Sequence, residues 1–172
     1  GLGYVEDASK DAVFQEPMTL NTIGIDEKDW KQIGFPEDFS CKQLELSRAY
    51  EKMGAIPTNS CTPYLNGNLP MFGEHVAWGE SSAVAFVNSV IGARTNREGG
   101  PTALAAAITG RVPAYGYHLD ENRKGTHLIR VEVDLKTDKD FAVLGYFGGK
   151  LAGKDVPVFE GIKRRPTLEQ FK

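Results

Sequence analysis

The sequence has few residues of the types that metal sites and cross-linked small domains use most. Its 172 residues contain two cysteines and three histidines. Two cysteines do not make a disulfide framework, and the 20 positions from Cys41 to Cys61 match no short metal-ligand spacing. Each cysteine therefore has to be judged alone.

Long apolar runs and a strong net charge are also missing. No stretch approaches the roughly 18 to 20 apolar residues that a membrane helix needs, and no secretory leader opens the chain. We therefore expect a cytoplasmic protein. The formal net charge of -3 gives no general attraction to nucleic acid or to an anionic membrane, so any anion site must be local.

What is present is the composition of a folded globular domain. The hydrophobic fraction is 41% and the charged fraction is 25%, and the length suits one domain with a substantial core. The chain begins at Gly1 without a methionine. We expect it to be part of a longer polypeptide.

Helical and strand patterns alternate along the sequence, which predicts the α/β class. Asp26 is predicted to cap a short helix. Apolar periodicity, capping residues and glycine stops predict longer helices over residues 36–54, 80–93, 102–110 and 138–149, with another starting near the C-terminus. Short apolar clusters and turn formers predict, within residues 12–25, a strand that leads into a loop at Asn21 and Thr22. Strands are also predicted over residues 127–136 and 156–161.

The loop TNSCTPYLNGNLPMFGEH is too long for a simple connector. It carries Cys61 between Ser60 and Thr62, where hydroxyls and backbone N–H groups stabilise a thiolate. A ligand or reactive thiol and a structural cysteine are both open readings. An iron–sulfur cluster ordinarily takes three or four thiolates, so Cys61 cannot hold one alone. Cys41, in a predicted helix, fits an ordinary packed residue.

The segment RTNREGGP, residues 94–101, lies between two stretches almost free of charge. Arg94 and Arg97 offer forked donors to an anion, Thr95 and Asn96 add neutral donors, and the glycines allow close backbone approach. A surface loop is the simpler reading. The apolar flanks favour a cleft, where an arginine needs an anionic partner. Neither GxxxxGK[ST] nor GxGxxG occurs.

The serines of GESS start a predicted apolar helix. Ser81 or Ser82 can act as a helix cap, or the helix start can receive a carboxylate. His75 fits a structural histidine as well as a functional one. A thiol enzyme with Cys61 as nucleophile and His75 as base is a further reading, for which the sequence specifies no geometry.

The run from Cys61 to Arg123 resembles the catalytic large subunit or domain of the aconitase X family. Its distinctive sequence motifs are CTPY, GEHVAWGESSA and GARTNREGG, and the resemblance extends through TLNTIGID, VEVDL and VPVFEG. Residues 1–172 are thus expected to be part of an aconitase X catalytic domain. The resemblance implies an aconitase-like layered α/β fold with alternating helices and mostly parallel strands.

The resemblance also implies an iron-dependent hydro-lyase with an iron–sulfur cluster, expected to be 4Fe–4S, or with another iron centre. Family members dehydrate mevalonate 5-phosphate to an anhydromevalonate phosphate, or dehydrate cis-3-hydroxy-L-proline; CTPYLNGNLP, ESSAV and TNREGGP are more similar to the first type. A small swivelling subunit or domain supplies the general base, so this chain alone is expected to be inactive. The rival from another class is a non-catalytic anion-binding or assembly module.

Site residues follow from the same motifs. Cys61 resembles one of three cluster cysteines, and the other two are expected outside this chain. The positions that match the family's substrate site, or that we infer to contact an anionic substrate, are Asn21, Thr22, Glu80, Ser81, Ser82, Arg94, Asn96 and Arg97.

Overall fold

The computed structural model of the chain describes residues 2–171. The chain forms two compact units, which divide between Pro113 and Ala114. The first unit contains the predicted site residues, and the second contains the sheet.

The first unit is built from helices joined by long loops. Its α-helices are α1 (Leu2–Ala8), α2 (Trp30–Ile33), α3 (Glu37–Met53), α4 (Ser81–Phe86) and α5 (Gly100–Thr109). Helix α4 continues directly into a π-helical segment, Val87–Ile91. Helix α3 agrees with its prediction: Pro36 precedes it, and Gly54 ends it in the left-handed conformation at φ 110°.

Two local predictions for this unit were wrong. Residues 12–25 do not form a strand; they pair only through an isolated parallel bridge between Thr19 and Ile56. Short apolar clusters favour extended backbone but do not supply a pairing partner. Asp26 does not cap a helix, because α2 begins only at Trp30, with Asp29 in the N-cap position; the Asp26 carboxylate accepts the N–H groups of Lys28 and Asp29 at 2.8 and 2.7 Å in the preceding turn.

Two apolar clusters hold the first unit together. The first joins α1, α3 and α5 through Val5, Ala49, Met53 and Leu104. The second packs Tyr64, Ala83 and Phe86 together with Trp78, and the rings of Tyr64 and Phe86 stack with their centroids 4.1 Å apart. This second cluster anchors the long loop against α4, next to the predicted site.

The second unit contains strands β1 (His127–Arg130) and β2 (Pro157–Glu160), helix α6 (Asp138–Ala152) between them, and helix α7 (Leu168–Phe171). The strands pair in parallel, with His127 opposite Pro157. Strand β1 is shorter than predicted because the chain leaves the sheet after Arg130 and turns Val131 and Leu135 into a cluster with Phe141.

Parallel strands joined through a helix confirm the predicted α/β class. Within residues 2–171, no helix has both the length and the apolar character needed to cross a bilayer.

Candidate functional site

An open cleft of about 1090 Å³ lies within the first unit. Its volume suits a small metabolite. Polar side chains that line it include Asn21, Thr22, Ser60, Asn68, Glu80 and Arg111.

Backbone hydrogen bonds bring two segments distant in sequence together at this cleft. The N–H of Ile56 donates to the carbonyl of Met18 at 2.8 Å, and the N–H of Leu20 donates back to the carbonyl of Ile56 at 3.1 Å. The N–H of Ser60 then reaches the Leu20 carbonyl at 3.2 Å. The pairing places the turn after Leu20 beside Cys61.

Thr22 contacts the predicted ligand cysteine directly. Its Oγ1 lies 3.6 Å from Sγ of the half-buried Cys61, and its N–H donates to Oδ1 of Asn21 at 2.7 Å. Asn59, two positions before Cys61, has a left-handed backbone at φ 45° and a buried Oδ1 without a hydrogen-bond partner. Asparagine tolerates this conformation better than most residues, and such backbone often occurs at functional sites.

Glu80 joins the same set of side chains from a third segment. Nδ2 of Asn21 donates to Oε2 of Glu80 at 3.2 Å, and Oγ of Ser81 donates to Oε1 at 3.3 Å. The structure thus connects five predicted site residues, which we call the Glu80 network: Asn21, Thr22, Cys61, Glu80 and Ser81.

The network favours the ionised form of Glu80. The hydrogen bond from the Asn21 amide, followed by those from Ser81, lowers the pKa of Glu80 below its ordinary value of 4.5. An ionised carboxylate only accepts hydrogen bonds, so Glu80 is suited to hold a donor such as a hydroxyl group.

Replacing Asn21 with alanine is expected to raise the pKa of Glu80, because the largest cause of its lowering is removed. Ionised Glu80 stabilises the fold above pH 4.5, and that contribution is lost as the pH falls through the lowered pKa. Asn21→Ala should therefore also weaken the loss of stability on acidification. Carboxyl carbon chemical shifts measured during a pH titration give the pKa directly.

Asn68→Ala is the matched control, because Asn68 lines the same cleft but donates to Thr19 Oγ1 at 2.9 Å. It should leave the Glu80 titration unchanged. An unchanged titration in Asn21→Ala would contradict the role assigned to Asn21.

The RTNREGGP segment runs beside the residues that lead to Glu80. The N–H of Arg94 donates to the Glu74 carbonyl at 2.8 Å, and the Arg94 carbonyl accepts from Val76 at 2.9 Å. Further along, the N–H of Glu98 donates to the Trp78 carbonyl at 2.8 Å. The segment is therefore tied to the site through its backbone.

The two ends of this segment differ in position. Gly99 and Gly100 line the cleft; within residues 2–171, its lining does not include Arg94, Asn96 or Arg97. Arg94 and Asn96 are half-buried, and Arg97 is exposed. Direct contact of these three side chains with a substrate stays a prediction. Ser81 and Ser82 are exposed at the start of α4.

Comparison with protein families covers both units. The family model described as aconitase X first domain matches residues 2–121, and the model described as aconitase X second domain matches residues 125–172. The chain belongs to the aconitase X family. The assignment of residues 1–172 to one catalytic domain stays a prediction.

Relatives within aconitase X have two activities in their names. The phosphomevalonate dehydratase large subunit of Methanothermobacter thermautotrophicus is 52% identical over all of this chain and 43% of its own length. The cis-3-hydroxy-L-proline dehydratase of Pseudomonas aeruginosa is 42% identical over 87% of this chain and 26% of its own length. This chain therefore spans less than half the length of these relatives.

A crystal structure described as Thermococcus kodakaraensis aconitase X in its holo form has the same fold. It matches with a TM-score of 0.83 and 47% identity over 99% of this chain and 42% of its own. The match confirms the predicted aconitase-like α/β fold.

The residues present fit an aconitase X cluster site only in part. Within residues 2–171, no group of three His, Cys, Asp or Glu side chains could hold a metal ion. Cys61 is not among the residues that line the cleft, but its thiol contacts the cleft-lining Thr22. Cys41 is exposed on α3, which buries Ser40 and Ala49 instead, so the packed-residue interpretation of Cys41 was wrong.

The sequence reasoning missed several polar residues of the aconitase X cleft. Ser60 and Asn68 lie in the same long loop as Cys61, and that proximity is a signal that could have identified them. Arg111 follows the glycine stop of α5 and had no such signal.

Proposed function

We propose that this chain is part of the large subunit of a dehydratase that removes water from a small anionic hydroxy acid. The observation that carries the proposal is the Glu80 network, in which a candidate ligand thiol and an ionised carboxylate belong to one chain of contacts at a cleft. Membership of aconitase X, whose named relatives are dehydratases, supports the reaction class.

In this proposal Cys61 binds an iron–sulfur cluster, expected to be 4Fe–4S, together with thiolates from parts of the polypeptide outside this chain. When bound, the cluster would supply a Lewis acid for the departure of the hydroxyl group. Thr22 holds the Cys61 thiol in place through its hydroxyl group at 3.6 Å.

The side chains of this chain bind and orient the substrate. Glu80 accepts a hydrogen bond from a substrate hydroxyl. Asn21 and Ser81 hold the Glu80 carboxylate in position for this contact. Thr22 and Ser82 add hydroxyl groups at the edge of the site. Arg94, Asn96 and Arg97 are proposed to supply positive charge and neutral donors to the substrate anion.

Mevalonate 5-phosphate is the proposed substrate, and an anhydromevalonate phosphate is the product. The support is the higher identity to a phosphomevalonate dehydratase large subunit, 52%, than to a cis-3-hydroxy-L-proline dehydratase, 42%. Dehydration of cis-3-hydroxy-L-proline is the second candidate, favoured by the same family membership.

The proposed partner is the small aconitase X subunit or domain, which carries the general base. A relative named as a large subunit supports such a partner. We place the enzyme in the cytoplasm, because the cytosol keeps thiols reduced for iron binding. We propose neither nucleic acid nor membrane as a partner.

The test is an anaerobic reconstitution of the full-length large subunit and the small subunit with iron and sulfide. We expect turnover of mevalonate 5-phosphate, with a kcat/KM about a hundredfold above that of cis-3-hydroxy-L-proline, because a site built for polar groups discriminates strongly. Residues 1–172 alone, lacking the partner subunit, should show no turnover.

A higher kcat/KM for cis-3-hydroxy-L-proline would make its dehydration the favoured function and contradict the choice of mevalonate 5-phosphate. Binding of mevalonate 5-phosphate without turnover of either compound would instead support an anion-binding module.

A further inference from the structure

Thr95 is a fully buried hydroxyl residue in the middle of the RTNREGGP segment. Its side chain is 0% exposed. Oγ1 accepts the N–H of Trp78 at 3.1 Å and donates to the Asn96 carbonyl at 2.6 Å. The hydroxyl group therefore links this segment to the backbone two residues before Glu80.

Asn88 holds the backbone of Thr95. Its Nδ2 donates to the Thr95 carbonyl at 2.9 Å, and its Oδ1 accepts the Thr95 N–H at 3.3 Å. Nδ2 also reaches the Val84 carbonyl at 2.9 Å. One side-chain amide thus pairs with both the N–H and the carbonyl group of Thr95.

The position of Asn88 depends on an unusual helix. Asn88 lies in the π-helical segment Val87–Ile91, which follows α4. Such segments interrupt the regular α-helical spacing and occur frequently at functional sites. Helix α4 begins at Ser81, so one end of this helical stretch adjoins Glu80 and the other end carries the side chain that holds Thr95.

We propose that Asn88 and Thr95 are positioning residues for Glu80 and Ser81 in the dehydration reaction. They hold the Trp78–Glu80 backbone through the hydrogen bond to Trp78, while the Glu98 N–H holds the Trp78 carbonyl at 2.8 Å. The inference rests on the proposed function of Glu80, but it concerns side chains that do not line the cleft.

Loss of the Thr95 hydroxyl leaves the Trp78 N–H without its acceptor, and a buried unpaired donor is costly. The Trp78–Glu80 backbone should then move to find another partner. Misplacement of a substrate-binding group by about 1 Å can lower the rate by up to about a hundredfold. We expect about a tenfold loss of kcat/KM.

The test compares Thr95→Val with Thr95→Ser in the reconstituted full-length enzyme. Thr95→Val keeps the side-chain shape and removes the hydroxyl, whereas Thr95→Ser keeps the hydroxyl and should restore most of kcat/KM. Thr109→Val is the matched control, because Thr109 is exposed at the end of α5 and its hydroxyl donates to the Ala105 carbonyl of the same helix. Asn88→Leu should reproduce the loss seen in Thr95→Val.

Leu104→Val distinguishes a positioning role from a general loss of stability. It loosens the core cluster formed by α1, α3 and α5, which does not contain Thr95. Both variants are assayed at a temperature well below the unfolding midpoint of each. If Leu104→Val then loses as much kcat/KM as Thr95→Val, the positioning role is overturned. A loss below twofold in Thr95→Val overturns it as well.

The Glu80 titration provides a readout that does not need turnover. Thr95→Val should raise the pKa of the Glu80 carboxyl group, because displacement weakens its hydrogen bond from Asn21. If the wild-type enzyme dehydrates neither substrate, the proposed function fails while this titration still tests the positioning role. An unchanged titration in Thr95→Val contradicts it.

Discussion

Replacing Cys61 with serine in the full-length large subunit should remove most of the bound iron and lower dehydration by about a thousandfold. A serine hydroxyl stays protonated at neutral pH and is a poor ligand for iron compared with a thiolate. The lost Lewis acid is worth several kcal/mol of transition-state stabilisation, and each 1.36 kcal/mol corresponds to about tenfold in rate. Iron analysis and the dehydration assay measure the two effects separately.

Cys41→Ser is the control that the chain itself offers. Cys41 is the other free cysteine in the described part of the chain, and it lies exposed on α3. Its replacement should change neither iron content nor turnover. Full iron and activity in Cys61→Ser would refute the ligand assignment. Thiol-reagent sensitivity of wild-type turnover without any iron requirement would favour Cys61 as a nucleophile.

A single added methyl group at Gly79 should disturb the site nearly as strongly. A Cβ at this position would lie 2.8 Å from the carbonyl oxygen of Glu98, closer than real Cβ contacts. That oxygen belongs to backbone paired with Trp78, so it cannot rotate away as a side chain would. Gly79→Ala should cost about 1–3 kcal/mol in the free energy of unfolding.

Gly79→Ala should also lower kcat/KM, because Glu80 is the next residue. A shift of about 1 Å can lower kcat/KM by about a hundredfold. Denaturant unfolding and steady-state kinetics measure the two effects. Gly145→Ala is the control, since Gly145 lies in α6 and its added Cβ would have no atom within 4 Å apart from the adjoining residues and backbone of its own helix. A kcat/KM within threefold of wild type in Gly79→Ala would contradict the prediction.

The role of the RTNREGGP segment could be predicted only in part from its local sequence. Its two arginines and its glycines suggested an anion site, and the glycine end does line the cleft. Its backbone and buried Thr95, however, pair with the chain before Glu80. A hydroxyl inside a polar motif does not reveal from sequence that it will be fully buried.

The strand predictions illustrate a second limit. Helix α3 was predictable because its apolar spacing and its Gly54 stop are local signals. Residues 12–25 have a local pattern compatible with a strand, yet they pair at one bridge only. Strand formation depends on a neighbour that the local pattern does not specify.

The sequence by itself determined the family, the α/β class and the candidate residues, because distinctive words such as CTPY and GESS are contiguous. Only the tertiary structure decided that Asn21 reaches Glu80 across 59 positions and that Thr22 reaches Cys61 across 39. It also decided that Asn88 and Thr95 hold the chain before Glu80. These contacts join segments brought together by chain pairing and core packing, and hydrogen bonds over such separations leave no periodic pattern in the sequence.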